Sequence, residues 1–212
     1  MTSHATARHN SQERREAERA ARLDHDRIAA TRKRRRTGLK IAAGLAVVGL
    51  VTAGLLSSRP QDTSAIRPAP GFTLTDTSGA TVSLGDYLGK NVILYFSEGA
   101  GCQSCLVQMA QIEKARSKFD AANLTVLPIV MNTKEQITAD MSAYGVRTPF
   151  LLDDGSVSTA YGTIGKGMHG GLPGHSFVVI DDQGQQRWYG EYPSMWLAPE
   201  ELLTQATAAL TR

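Results

Sequence analysis

Cys102 and Cys105 are the only cysteines in the 212-residue chain, and they lie three apart in SEGAGCQSCLVQM, residues 97–109. Two thiols at that spacing fit four chemistries: a structural staple, half of a metal site, a peroxide-reducing centre or a working dithiol. A staple here closes a tiny ring, and loop-closure gains grow with loop length, so it restricts little unfolded-chain entropy. A four-ligand zinc site needs two more soft or imidazole ligands; only His169 and His175 follow the cysteines, and no second C-x-x-C exists. A dithiol needs one sulfur held as thiolate and a second, shielded sulfur to resolve the mixed disulfide.

The flanking elements supply that arrangement. NVILYFS is a continuous apolar run, expected to be a strand covered on both faces. Leu106, Met109, Ile112, Ala115 and Phe119 recur at helical spacing up to about Asn123. SEGAG therefore delivers Cys102 to the first turn of a helix, where unpaired amides and the dipole lower a thiol pKa from about 8.5 toward or below 7. Cys105 lies one turn deeper. GFTLTD and ATVSL predict an antiparallel pair, LTVLPIVMN a second buried strand, EQITADMSAYG a helix ended by Gly145, and TPFLLDD a short strand. VSTAYG gives one or two helical turns, SFVVIDDQG and QQRWYGEY two strands about Gln183-Gly184, and Pro199 starts a helix with Leu202, Leu203, Ala206, Ala209 and Leu210 on its apolar face. This alternation implies an α/β fold: a mixed central sheet with helices on both faces.

Charge divides the chain. Residues 1–40 hold 12 Lys/Arg and 5 Asp/Glu, a net of +7, and the remainder carries a net of −4. Between Lys40 and Arg59 lie 18 uncharged residues, near the ~20 that a helix needs to cross a ~30 Å hydrocarbon layer. We expect a basic cytoplasmic tail over 1–37, an uncleaved transmembrane signal anchor over 38–58, a Pro/Ser-rich linker over 59–69 and the folded domain over 70–212. The basic run 32–36 reads as an orientation signal, placing the C-terminal body outside the membrane, and not as a nucleic-acid arm.

From about Ala69 to Arg212 the chain resembles the thioredoxin superfamily, specifically the membrane-anchored TlpA/ResA thiol–disulfide oxidoreductases and their AhpC/TSA-type redoxin relatives. GFTLTDTSGATVSLGDYLGKNVILYFS, GCQSC, YGVRTPFLLDD, VSTAYG and FVVIDDQGQQRWYGEY carry the likeness. It implies a thioredoxin-like fold, a Cys102 nucleophile, a resolving Cys105, and no organic cofactor or metal. It also implies exported thiol or disulfide proteins and a membrane electron donor as partners.

The family's cis-proline, which faces the dithiol, corresponds to His175 here, making its imidazole a third candidate site residue. Gln108 stands where ResA-like proteins carry a thiol-tuning glutamate, and Gly101 replaces the usual tryptophan. Peroxiredoxins place Pro and Thr seven and three residues before the reactive cysteine; here those positions are Tyr95 and Gly99. A Sco-like copper chaperone is a further alternative, with Met168, His169 and His175 in the Gly-rich loop 163–175 as soft-ion ligands beside the thiolates. The reading that results is an anchored extracytoplasmic thiol–disulfide oxidoreductase, with a peroxiredoxin-type peroxidase and the copper carrier as alternatives.

Overall fold

The structure, a computed structural model, describes residues 40, 42–52, 61–63 and 65–211. Two compact units divide the chain at Leu56/Ser57.

In the first unit residues 42–52 are helical. Among the described residues no helix is long and apolar enough to cross a membrane. The single-pass placement expected from a span over 38–58 is therefore corrected: among the described residues no such spanning helix is found. The tail 1–37 lies outside the described residues.

The second unit is built on a nine-stranded mixed sheet. Its strands are β1 (Gln61–Thr63), β2 (Arg67–Pro68), β3 (Thr73–Asp76), β4 (Thr81–Ser83), β5 (Asn91–Phe96), β6 (Leu124–Val130), β7 (Leu151–Leu152), β8 (Ser176–Ile180) and β9 (Gln185–Glu191). The helices are α1 (Gln103–Lys114), α2 (Arg116–Ala121), α3 (Lys134–Tyr144), α4 (Ser156–Ala160) and α5 (Pro199–Leu210). The spatial order is β1-β9-β8-β5-β6-β7-β3-β4, with β2 also on β9. β5 lies between parallel β6 and antiparallel β8, so its backbone is paired on both edges.

The apolar run of β5 is divided by the two-residue side-chain period of a strand. Ile93 and Tyr95 face one core layer with Leu106, Met109 and Ile112 of α1, Ile137 and Met141 of α3, and Leu202, Ala206 and Ala209 of α5. Val92, Leu94 and Phe96 face the other, with Phe72, Leu84, Leu151, Val157 and Tyr161. Each fully buried side chain of this size contributes about 1.5–3 kcal/mol.

Two details depart from expectation. The helix after the cysteines breaks at Ala115, whose N–H is shared between the carbonyls of Gln111 and Ile112, and restarts as α2. The 59–69 stretch is partly sheet: β1 pairs with Tyr189–Glu191 and β2 with Gln185–Gln186.

Candidate active site

β5 ends at Phe96, and the loop Ser97–Gly101 turns the chain into α1. Glycine is required in that turn. Gly99 has φ +73°, and a Cβ there would lie 2.0 Å from Asn132 Oδ1 and 2.8 Å from Val130. Three backbone donors here are bonded: Ala100 N–H donates to Asn132 Oδ1 at 2.8 Å, Gly101 N–H to Asp140 Oδ2 at 2.7 Å, and Cys102 N–H to the Gly99 carbonyl at 3.0 Å.

Cys102 is the N-cap of α1, and its Sγ accepts the Cys105 N–H at 3.3 Å. The two cysteines form a disulfide with Cα atoms 5.3 Å apart. Cys105 is 1% exposed and Cys102 7%, so the sulfur nearer solvent is the one capping the helix. A thiolate formed there would sit where the helix dipole and free amides favour negative charge.

His175 reaches this pair through Tyr95, and no peptide bond among the described residues is cis. Its Nδ1 is 3.3 Å from the Tyr95 hydroxyl, which reaches the Cys105 carbonyl at 3.2 Å. Burial lowers the His175 pKa to about 3. The ring is thus neutral at physiological pH and supplies no imidazolium to stabilise a thiolate.

The remaining candidates are not brought together as ligands. His169 is bound to Glu98, its Nδ1 2.8 Å from Oε2 and its backbone N–H donating to Oε1 at 3.0 Å. Met168 is 76% exposed. Among the described residues no group of three or more His, Cys, Asp and Glu is arranged to hold a metal. The Gly-rich loop 163–175 is cross-bonded: Gly165 N–H to Leu172 O, Gly174 N–H to Thr163 O, and Lys166 Nζ 3.5 Å from Glu191.

Gln108, in the glutamate slot, is fully buried and has a structural partner. Its side chain donates to the Leu197 carbonyl and accepts the Leu197 N–H, both at 2.8 Å. Sequence reasoning missed Glu98, Asn132, Asp140 and Tyr95 as site residues. Glu98 alone gave a signal, being the one charge between a buried strand and the dithiol; Asn132 and Asp140 are 30 or more residues away and only tertiary structure brings them in.

The comparisons agree with this architecture. Residues 66–188 match the AhpC/TSA family, and the chain belongs to it. A Mycobacterium tuberculosis protein assigned to the peroxiredoxins, Rv2521, is 38% identical over 120 residues, 54% of this chain and 76% of that one. The chloroplastic peroxiredoxin Q of Triticum aestivum is 30% identical over 115 residues, 54% of this chain and 53% of that one. Among solved structures, peroxidoxin BcpB of Mycobacterium tuberculosis superimposes with a TM-score of 0.57 at 18% identity, covering 70% of this chain and 97% of that one. AhpC of Enterococcus faecalis gives 0.61 at 17%, covering 69% and 92%. These two support the thioredoxin-like fold. The domain is thus an AhpC/TSA redoxin with peroxiredoxin-like homologues, a thiol oxidoreductase or peroxidase.

Proposed function

We propose that the chain is a thiol-dependent peroxidase whose Cys102 and Cys105 cycle between dithiol and intramolecular disulfide. The Cys102 thiolate attacks the distal peroxide oxygen, the O–O bond breaks, and the alcohol or water leaves with a proton. The sulfenic acid on Cys102 is then displaced by Cys105, releasing water and closing the disulfide. An external dithiol restores both thiols. The observation that carries this reading is the Cys102–Cys105 disulfide at a helix N-terminus inside an AhpC/TSA domain.

Cys102→Ser should abolish peroxide-dependent oxidation of the protein, whereas Cys105→Ser should accumulate a sulfenic acid that dimedone labels. Labelling in the Cys102 variant and not in the Cys105 variant would reverse the roles.

One observation favours a second reading, dithiol–disulfide exchange with another thiol protein. The packing of Gly99 against Asn132 and Val130 leaves no room for the threonine whose hydroxyl prepares peroxiredoxins for peroxide. Mixed disulfides trapped by Cys105→Ser, without peroxide turnover in the wild type, would select that reading.

A further inference from the structure

Tyr95 and His175 form a hydrogen-bonded pair inside the core layer that holds the dithiol, at 0% and 1% exposure. The ring planes meet edge to face, centroids 5.0 Å apart, and Phe177 stacks on Tyr95 at 4.8 Å. Neither ring can turn without disturbing the other two.

The proton positions follow from donor and acceptor chemistry. The Cys105 carbonyl oxygen can only accept, so the Tyr95 O–H donates to it at 3.2 Å. The Tyr95 oxygen is then the acceptor in its 3.3 Å contact with His175 Nδ1, and the proton between them belongs to the imidazole. A neutral imidazole has one N–H, so Nε2 holds a lone pair, and Nε2 is buried without a hydrogen-bond partner. An unpaired buried acceptor costs about 1–3 kcal/mol.

We propose that Tyr95 is a positioning residue for the resolving thiol: its hydroxyl ties the Cys105 backbone to His175 and fixes that histidine as the Nδ1–H tautomer. The inference rests on the dithiol of the proposed function, since it concerns the sulfur that closes the disulfide. It does not depend on peroxide. Tyr95 holds Cys105 at the start of α1 through the reduced and oxidised states alike, which raises the effective concentration of its thiol toward Cys102. The neutral His175 leaves thiolate stabilisation to the helix N-terminus.

Two measurements on wild type and Tyr95→Phe test this without peroxide. The first is the nitrogen-15 spectrum of His175 at pH 7, which distinguishes the two tautomers and the imidazolium. Wild type should show Nδ1 protonated and Nε2 bare, and Tyr95→Phe should lose that preference. The second is the equilibrium of the Cys102–Cys105 disulfide with glutathione. Tyr95→Phe should make closure about three- to tenfold less favourable, tenfold corresponding to about 30 mV for a two-electron couple. His175→Phe, which keeps the Tyr95 bond to Cys105, should change closure by less than Tyr95→Phe. An Nε2–H tautomer in the wild type, or a closure equilibrium that Tyr95→Phe leaves unchanged, overturns the proposal. Failure to reduce peroxide would count against the peroxidase and leave this result standing.

Discussion

Glu98 grips His169 with both carboxylate oxygens, Oε1 on the backbone N–H at 3.0 Å and Oε2 on Nδ1 at 2.8 Å. Gly167 packs against the same carboxylate so closely that a Cβ there would lie 2.3 Å from Oε1. The loop that leads into Cys102 and the loop 163–175 are therefore one joined surface. Glu98→Ala should destabilise the fold by about 1.5–3 kcal/mol, the range for hydrogen bonds to a charged group. It should also speed amide exchange at Gly165 and Gly174, whose N–H groups bond within that loop. Unchanged exchange there would mean that the loop holds itself without Glu98.

Gly99 allows a sharper test, because its conformation and its surroundings both exclude a side chain. A left-handed φ costs a non-glycine residue about 1–2 kcal/mol, and the Cβ must also push Asn132 off the Ala100 N–H. Gly99→Ala should lower stability by about 2–3 kcal/mol once the lost hydrogen bond is included. Gly99→Thr, which restores the residue type of peroxiredoxins at that position, should destabilise at least as much and lower peroxide turnover. A stable, faster Gly99→Thr protein would show that the loop rearranges freely.

Much of the fold was legible in the sequence because its signals are local. The apolar run of NVILYFS, the helical spacing of Leu106, Met109 and Ile112, and the αL glycine at Gly145 each specify their own element. Cys102 at the helix start followed from the same reasoning and is found there. What sequence could not give was long-range placement. Asn132 and Asp140 hold the cysteine loop from other elements, and β1 and β2 join β9 over more than a hundred residues. His169, one of the soft-ion candidates, is held by Glu98, 71 residues away in sequence, a pairing that no local signal reveals. The membrane anchor was inferred from an 18-residue uncharged run, but among the described residues no helix is long and apolar enough to cross a membrane.

Gln108 was expected to matter as a missing tuning glutamate, and its bonds to Leu197 give it a different role. Gln108→Leu should leave the buried N–H and C=O of Leu197 without partners and cost about 2–6 kcal/mol, from roughly 1–3 per unsatisfied group. Chemical denaturation of the disulfide-intact protein measures it. A loss below 1 kcal/mol would mean that Leu197 finds other partners.

His175 makes a prediction in acid. Its folded pKa of about 3 lies below the ordinary 6.5, so between these values the unfolded chain binds the extra proton. Stability from this group is complete above pH 6.5 and falls as pH drops toward 3. From pH 6.5 to pH 5 the loss should be on the order of 2 kcal/mol, at about 1.4 kcal/mol per unit. His175→Phe should show a correspondingly shallower acid slope. Parallel stability curves for the two proteins would contradict a buried neutral imidazole.

The central claim is that Cys102 reduces peroxide and Cys105 closes the disulfide behind it. Stopped-flow mixing of the fully reduced protein with hydrogen peroxide, followed by mass analysis of the thiols, tests it most directly. The account predicts one equivalent of peroxide consumed per chain, far faster than by a free thiol, with the Cys102–Cys105 disulfide as product and no reaction in Cys102→Ser. Consumption no faster than a free thiol's, in a protein that still exchanges disulfides rapidly, would contradict it.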